Sequence, residues 1–134
     1  MIIVNGNNAV LGRMASYAAK KLLSGDEVTV INAEKIIITG DPKNTVVKYL
    51  ERLKKGSPQH GPFFPRKPEL FVRRAIRGMM PYKTLKGRKA FKKLRVYVSV
   101  PDEFKGKESV NMEKEIKTNF ITIEKLVKSI GWNK

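Results

Sequence analysis

The first 32 residues alternate between β-rich and helical patterns, which restricts the fold more than any other feature of the chain. A short β-rich run, IIVN, is followed by the turn residues GNN. Between Ala9 and Ser24, apolar residues recur at the spacing of one helix face. These residues are Leu11, Met14, Ala15, Ala18 and Leu22. A second β-rich run, EVTVIN, comes directly afterwards. A strand, a helix and a strand with short links predict an α/β fold with a largely parallel sheet covered by helices.

Local signals indicate the ends of this helix and leave one later strand undetermined. Asn8 is expected to cap the N-terminus of the helix, and Gly25 suits its C-terminal end. Another β-rich run, KIIIT at 35–39, begins soon after the second strand. Because the link from Asn32 to Ile36 is too short for a crossover helix, the direction of this third strand stays open.

Helical patterns dominate the chain beyond Gly40. Asp41 followed by Pro42 is typical of a helix start, and Gly56 is expected to end that helix. The residues predicted to face the core from it are Val46, Val47, Leu50 and Leu53. Further helices are predicted near residues 68–78, 84–94 and 122–130, a strand at 94–100, and irregular segments at 57–68 and 101–119.

The composition indicates one globular domain spanning residues 1–134. Hydrophobic residues make up 41% of the chain and aromatic residues 8%, which favours a folded protein with a real core. The chain has no cysteine, so disulfides and thiolate metal sites are excluded. No apolar run approaches the roughly 18 residues of a membrane span, and the N-terminus has no signal-peptide pattern. We therefore expect neither secretion nor membrane association.

The net charge of +16 is concentrated in the middle of the chain. Residues 43–95 carry 17 cations and 2 acids, whereas residues 1–42 carry 4 of each and residues 96–134 carry 7 cations and 6 acids. The stretch RRAIRGMMPYKTLKGRKAFKKLR at 73–95 contains ten cations and no acid. Repulsion within such a segment is relieved when a polyanion neutralises it. This distribution predicts a nucleic acid partner.

Helical projections separate the apolar residues of this stretch from its cations. The apolar sides contain Val72, Ala75, Ile76 and Met79 in the first helix and Gly87, Ala90, Phe91 and Leu94 in the second. The basic sides contain Arg73, Arg74 and Arg77 in the first helix and Lys86, Arg88, Lys89, Lys92 and Lys93 in the second. Fixed cations on a rigid support predict phosphate binding. A face that is merely solvated normally mixes charges of both signs.

The proline-rich segment SPQHGPFFPRKP at 57–68 and the helix before it extend the predicted binding surface. The candidates for phosphate contacts there are Lys48, Arg52, His60, Arg66 and Lys67. Phe63 and Phe64 have two interpretations that the sequence leaves open. They either stack on RNA bases or fill a local core beneath the segment.

An enzymatic alternative depends on NGNNAVLGRMAS at 5–16, where a strand and a turn precede a helix. Glu34 lies near the position of a ribose-binding acid in a dinucleotide site. The glycine spacing nevertheless matches neither the G-x-G-x-x-G fingerprint nor the P-loop, and the simpler interpretation is that Gly12 lets the helix pack closely on the sheet. His60 is the single histidine, and no catalytic or metal-ligand motif accompanies it. The sequence therefore predicts no catalysis, no cofactor and no metal.

Four segments share a pattern that goes beyond charge and periodicity. They are LGRMAS (11–16), VINAEKIIITG (30–40), RRAIRGMMPYKTLKGRKAF (73–91) and LRVYVSVP (94–101). Together they resemble the L-thirteen family of universal large-subunit ribosomal proteins, in its archaeal and eukaryotic-type form. The chain departs from that pattern at Tyr82, where His is frequent, and at Ser99, where Gly is usual. The resemblance implies a three-layer α/β/α fold with a mostly parallel four-stranded sheet and a basic helical and loop insertion.

The resemblance also implies a function. It implies a structural constituent of the cytoplasmic ribosome that binds large-subunit ribosomal RNA, adjoins other ribosomal proteins, supports subunit assembly and takes no small-molecule substrate. The RNA-facing residues that it implies are Arg73, Arg74, Arg77, Lys83, Lys86, Arg88 and Lys89. Lys92 and Lys93 extend the same side of the second helix. The alternatives are a generic basic RNA- or DNA-binding protein and, behind it, a nucleotide-dependent enzyme.

Overall fold

The computed structural model describes residues 1–57, 59, 61 and 64–131. Its strands are β1 (Ile2–Asn5), β2 (Val28–Ile31), β3 (Ile37–Thr39), β4 (Leu94–Val96), β5 (Val110–Asn111) and β6 (Phe120–Thr122). Its helices are α1 (Leu11–Leu23), α2 (Pro42–Lys54), α3 (Pro68–Gly78), α4 (Leu85–Phe91) and α5 (Ile123–Ser129). None of these helices has the length and apolar character needed to cross a membrane.

A four-stranded parallel sheet in the order β4-β2-β1-β5 forms the centre of the fold. β1 and β2 pair in parallel, with Ile2 opposite Val28 and Asn5 opposite Ile31. Helix α1 connects them and buries the predicted residues Met14, Ala15, Ala18 and Leu22 against the sheet. The predicted α/β class and the mostly parallel four-stranded sheet are therefore confirmed.

The two faces of the sheet belong to different cores, because successive strand side chains point to opposite sides. Val4 and Val30 lie in the larger core with residues of α1, α3 and α5. Ile3 and Ile31 lie on the other face, where they pack with Phe104 from a 3-10 turn at Asp102–Phe104. The sheet is thus covered on both faces, as a three-layer arrangement requires, and the thinner layer contains a 3-10 turn.

The start of α1 differs from the prediction. Val10 occupies the N-cap position, and Asn8 instead adopts a left-handed conformation with φ 55°. Its side-chain amide donates to Glu113 Oε1 at 3.3 Å, so the predicted Asn8 cap is wrong. Gly25 follows the C-terminal end of the helix with φ 100°, which is the left-handed conformation that glycine adopts readily.

The third β-rich run leaves the main sheet, which resolves its direction. A 3-10 turn at Ala33–Lys35 separates it from β2, and Asn32 enters this turn with φ 56°. β3 then pairs antiparallel with β6 in a separate two-stranded sheet, with Ile38 opposite Ile121. The short link therefore forms a turn, and no crossover is needed.

The fourth strand of the main sheet lies in a segment predicted to be irregular. Val110 and Asn111 of β5 pair in parallel with Val4 and Asn5 of β1. The predicted strand at 94–100 is correspondingly shorter, because β4 ends at Val96 and Ser99 takes φ 62°. The prediction of an irregular segment over all of residues 101–119 is therefore wrong at β5 and at the 3-10 turn.

Helix α2 packs through a different residue than the sequence indicates. Asp41 caps it as predicted, and its carboxylate accepts the backbone N–H of Lys43 at 3.0 Å. Val47, predicted to face the core, is 51% exposed, whereas Tyr49 packs against Phe64 and Phe71. The inward side therefore combines Tyr49 with Val46, Leu50 and Leu53, which is the i, i+3, i+4, i+7 pattern.

Gly6 and Gly87 lie so close to neighbouring residues that a side chain would not fit, whereas Gly12 does not. A side chain at Gly6 would place its Cβ 2.6 Å from Ile36 Cγ1, whereas one at Gly12 would meet nothing within 4 Å. The prediction that Gly12 allows close packing of α1 is therefore wrong. At Gly87 a Cβ would overlap the backbone carbonyl of Pro81, so the first turn of α4 packs directly on the turn that precedes it.

We expect Gly87→Ala to destabilise the protein by about 1–3 kcal/mol, because the added methyl group forces the Pro81 carbonyl and α4 apart. Gly78→Ala is the matched control, since a Cβ there meets nothing within 4 Å and α3 already includes that residue. Urea unfolding measures both. Equal stability of Gly87→Ala and wild type would show that α4 does not depend on this contact.

Candidate nucleic-acid interface

Two consecutive helices, α3 and α4, together with the residues on either side of α4, carry most of the predicted binding residues. Helix α3 buries Phe71, Val72 and Ile76, and α4 buries Gly87 and Ala90. The cations occupy the opposite sides of both helices and the residues beside α4. We define the basic face as Arg73, Arg74, Arg77, Lys83, Lys86, Arg88, Lys89, Lys92 and Lys93; Arg73 and Arg77 are half-buried and the others are exposed.

One of the two methionines after α3 differs from the prediction. The helical spacing predicts Met79 on the apolar side of α3, but it is 46% exposed. Met80 is buried instead and belongs to the larger core. The helix ends at Gly78, so residues beyond it no longer follow helical spacing.

Arg73 binds the protein itself and connects α3 to the end of α4 and to the sheet. Its Nη1 donates to the carbonyl oxygen of Leu94 at 3.0 Å. Its guanidinium carbon lies 4.6 Å from the centroid of the Phe91 ring. A charged donor on a backbone carbonyl and a cation–π contact hold this side chain in one place. Arg73 is thus a positioning residue of the basic face as well as one of its cations.

Tyr82 contacts one arginine from each of the two helices. The guanidinium carbon of Arg77 lies 4.8 Å from the centroid of the Tyr82 ring, and Arg88 Nε donates to the Tyr82 carbonyl oxygen at 3.3 Å. At the start of α4, Thr84 Oγ1 accepts the backbone N–H of Gly87 at 3.1 Å. The turn between the helices is therefore fixed by side-chain contacts at both ends.

Phe64 belongs to an aromatic cluster, which decides between the two interpretations of that residue. Its ring lies 5.4 Å from Tyr49 and 5.6 Å from Phe71, centroid to centroid. The guanidinium carbons of Arg74 and Arg52 lie 4.8 Å and 5.8 Å from its centroid. Phe64 thus fills a local core and brings Arg52 of α2 to the basic face. Phe63 and His60 lie outside the described residues.

The remaining predicted residues occupy separate places. Lys48 is exposed on α2, and Lys67 is exposed at the N-cap position of α3. Arg66 approaches Gly131, with its Cδ 3.6 Å from the position that a Cβ would take there. Lys93 Nζ donates to the carbonyl oxygen of Gly25 at 3.2 Å, which places it beside the end of α1.

The exposed lysines on and beside α4 have no acidic partner in the described part of the chain. The ion pairs found there join Lys105 to Asp102 and Lys128 to Glu124, and both lie outside the basic face. Lys83, Lys86, Lys89 and Lys92 form none within those residues. Their positive potential is therefore directed to solvent, where a polyanion can approach.

The nucleotide-site alternative finds no support in the position of Glu34. This residue is buried, and its Oε2 accepts the backbone N–H of Ser99 at 2.9 Å. The carboxylate thus stabilises the left-handed conformation after β4 instead of facing a ligand. Across residues 1–57, 59, 61 and 64–131, no three or more His, Asp or Glu side chains are placed to hold a metal ion.

A cleft within the basic face was not predicted. It has a volume of about 350 Å³ and is lined by Pro65, Leu70, Arg73, Arg74, Arg77 and Phe91. Leu70 has the spacing of a basic-side residue, three, four and seven positions before the arginines of α3. That position, outside the apolar stripe of the helix, is the signal that sequence reasoning overlooked.

The family model described as "Ribosomal protein L13" matches residues 1–103, which contain the whole basic face. The chain belongs to the L13 family of ribosomal proteins. A relative from Methanopyrus kandleri, named large ribosomal subunit protein uL13, is 46% identical over 84% of this chain and 69% of its own length. A protein of the same name from Archaeoglobus fulgidus is 38% identical over 97% of this chain and 87% of its own. A third, from Methanococcus maripaludis, is 51% identical over 76% of this chain and 77% of its own. The sequence-based family assignment is thereby confirmed.

For this L13-family chain, Arg73→Met tests the structural role of the guanidinium. The variant keeps an unbranched side chain but removes the donor to the Leu94 carbonyl and the contact with Phe91, so we expect a loss of about 2 kcal/mol in unfolding free energy. Lys89→Met, at an exposed site of α4, is the control and stays within about 0.5 kcal/mol of wild type. Chemical denaturation compares the two. Similar losses in both variants would contradict a structural role for Arg73.

Proposed function

We propose that this L13-family protein is a structural constituent of the large ribosomal subunit, binds ribosomal RNA through its basic face and supports subunit assembly. The observation that carries the proposal is the basic face itself: nine cations on and beside two packed helices, with no acid between residues 73 and 95. Relatives named as large-subunit proteins support the ribosome as the location of that RNA.

The proposed recognition is of RNA shape and backbone. The basic face presents cations from two helices joined by a fixed turn, so its charges keep a constant spacing. Phosphates on a folded RNA also have constant spacing, and arginine binds two phosphate oxygens at once. No module that reads bases in series was found in the sequence. Contacts to phosphate therefore supply most of the affinity.

The proposed RNA-binding set divides into an inner and an outer group. The inner group is the basic face, together with Arg52, which reaches it through Phe64. The outer group contains Lys48, Arg66 and Lys67, which extend the cationic surface over α2 and the start of α3. His60 belongs to the same proposal by its sequence position. Arg73 acts partly by holding α3 in place, so its substitution tests two roles at once.

Members of this family are structural components and not enzymes, so no catalytic activity is proposed. The proposed location is the cytoplasmic ribosome, with large-subunit RNA and neighbouring ribosomal proteins as partners. The competing proposal is a generic basic protein that binds any RNA or DNA. The difference between the two is selectivity at physiological salt, because the electrostatic part of affinity is shared by all nucleic acids and declines with salt.

Selectivity is tested by equilibrium binding to a set of large-subunit ribosomal RNA fragments and to unrelated structured RNA, at low and at physiological salt. We expect one fragment to stay bound at physiological salt while the others are released. Equal binding and equal release of all RNAs would favour the generic alternative.

The exposed lysines of α4 and its C-terminal end should account for part of the salt dependence. We expect the triple variant Lys86→Ala, Lys89→Ala, Lys92→Ala to reduce the slope of log K against log salt by about 2, since each lost phosphate contact removes roughly 0.7–0.9 of slope. The control replaces Lys105, Lys107 and Lys117 with alanine. It changes the net charge by the same amount, but these three lysines lie outside the basic face. An identical slope change in both triple variants would refute the assigned surface.

A further inference from the structure

The cleft in the basic face has an apolar lining that phosphate binding does not require. Leu70 is 45% exposed on α3, and Pro65 and Phe91 line the same depression. The helix spacing places Leu70 beside Arg73 and Arg74, among the residues that face the partner. An exposed apolar side chain gains nothing from a phosphate, whereas the flat face of a nucleobase buries it.

The three arginines of the cleft are each held over an aromatic ring. Arg73 lies over Phe91, Arg74 over Phe64 and Arg77 over Tyr82, with distances of 4.6, 4.8 and 4.8 Å from guanidinium carbon to ring centroid. Side chains that are already positioned lose less freedom when a ligand binds. A guanidinium offers a planar surface for stacking and N–H groups that bind phosphate oxygens.

We propose that this cleft receives a single unstacked RNA nucleotide, whose base rests on Leu70, Pro65 and Phe91 and whose phosphate contacts the arginines. The inference builds on the proposed binding of ribosomal RNA and specifies the RNA feature that is recognised. A base inside a duplex cannot enter a cleft, so the recognised feature is a bulged or looped-out nucleotide.

A nucleotide within an RNA chain fits this site better than a free mononucleotide. The cleft is open and belongs to a much larger cationic surface: Arg88 lies one helical turn before Phe91, and Lys92 follows it directly. The phosphates on either side of a looped-out nucleotide would meet these residues, whereas a free mononucleotide has none to offer. The cleft volume of about 350 Å³ is at the small end of the range for ligand sites, which suits one nucleotide.

The test compares two RNA hairpins that differ only by one bulged nucleotide in the stem. Both are titrated with the full chain at physiological salt, alone and in the presence of adenosine monophosphate. We expect the bulged hairpin to bind about tenfold more tightly than the paired one, the size of effect found for stacking a single base. Adenosine monophosphate at the same concentration as the hairpin is expected to leave that preference unchanged.

Two matched variants assign the preference to the cleft. Leu70→Lys places a cation inside it, and Leu85→Lys makes the same change at a side chain that is 66% exposed on α4 and does not line the cleft. Both variants add one positive charge, so both should bind the paired hairpin at least as well as wild type. We expect only Leu70→Lys to lose the tenfold preference. Thermal unfolding checks that both variants are folded, and a photoreactive 4-thiouridine at the bulge should crosslink to peptides containing Leu70 or Phe91.

The outcomes separate this inference from the proposed function. Equal binding of both hairpins by wild type, together with selective binding of a ribosomal RNA fragment, overturns the cleft assignment and leaves the proposed function standing. Retention of the preference by Leu70→Lys also overturns it. Displacement of the bulged hairpin by adenosine monophosphate would make the cleft a site for a free nucleotide. Absence of binding to every RNA tested would refute the proposed function itself.

Discussion

Repulsion among like charges on two short helices, α3 and α4, must be offset by the packing of the rest of this structure. Helix α4 has seven residues, and a helix of that length is unstable alone even without crowded cations. It persists because Thr84 caps it, because Gly87 packs on the Pro81 carbonyl, and because Ala90 enters the core. The apolar side of each helix thus supplies the free energy that holds its cations close together. The positive surface is therefore rigid only because each helix combines an apolar side, which packs on the core, with a basic side, which faces solvent.

Aromatic rings beneath the arginines reduce the same repulsion in a second way. Phe64, Tyr82 and Phe91 each lie against a guanidinium group, so the negative face of a ring partly offsets a positive charge. A carboxylate would do this more strongly, but it would also cancel the field that attracts RNA. Rings on the protein side leave the outward potential almost unchanged. The segment from 73 to 95 can therefore contain no acid and still fold.

The sequence predicted the elements whose apolar residues recur at a regular spacing. α1, α3 and α5 follow from apolar spacing, and the basic face follows from the spacing of cations on α3 and α4. The prediction failed where tertiary packing decides. β5 has two exposed residues and becomes a strand only because β1 has an open edge beside it. Tyr49 replaces Val47 as an inward residue of α2 because an aromatic cluster lies beneath that helix. The contacts of Arg73 could not be predicted, since they join residues 18 and 21 positions apart.

The position of β5 at the outer edge of the sheet determines the order in which the chain can complete its core. β1 is synthesised before the other strands described here, yet its outer neighbour β5 is added only at Val110, and β3 can pair only after Phe120 of β6 has been added. The whole basic face, by contrast, is present once residue 93 has been made. During synthesis the cationic segment therefore leaves the ribosome before the sheet and the small antiparallel pair can close. Residues 110–129, which include β5, β6 and α5, therefore complete the packing of a domain whose basic face has already been made.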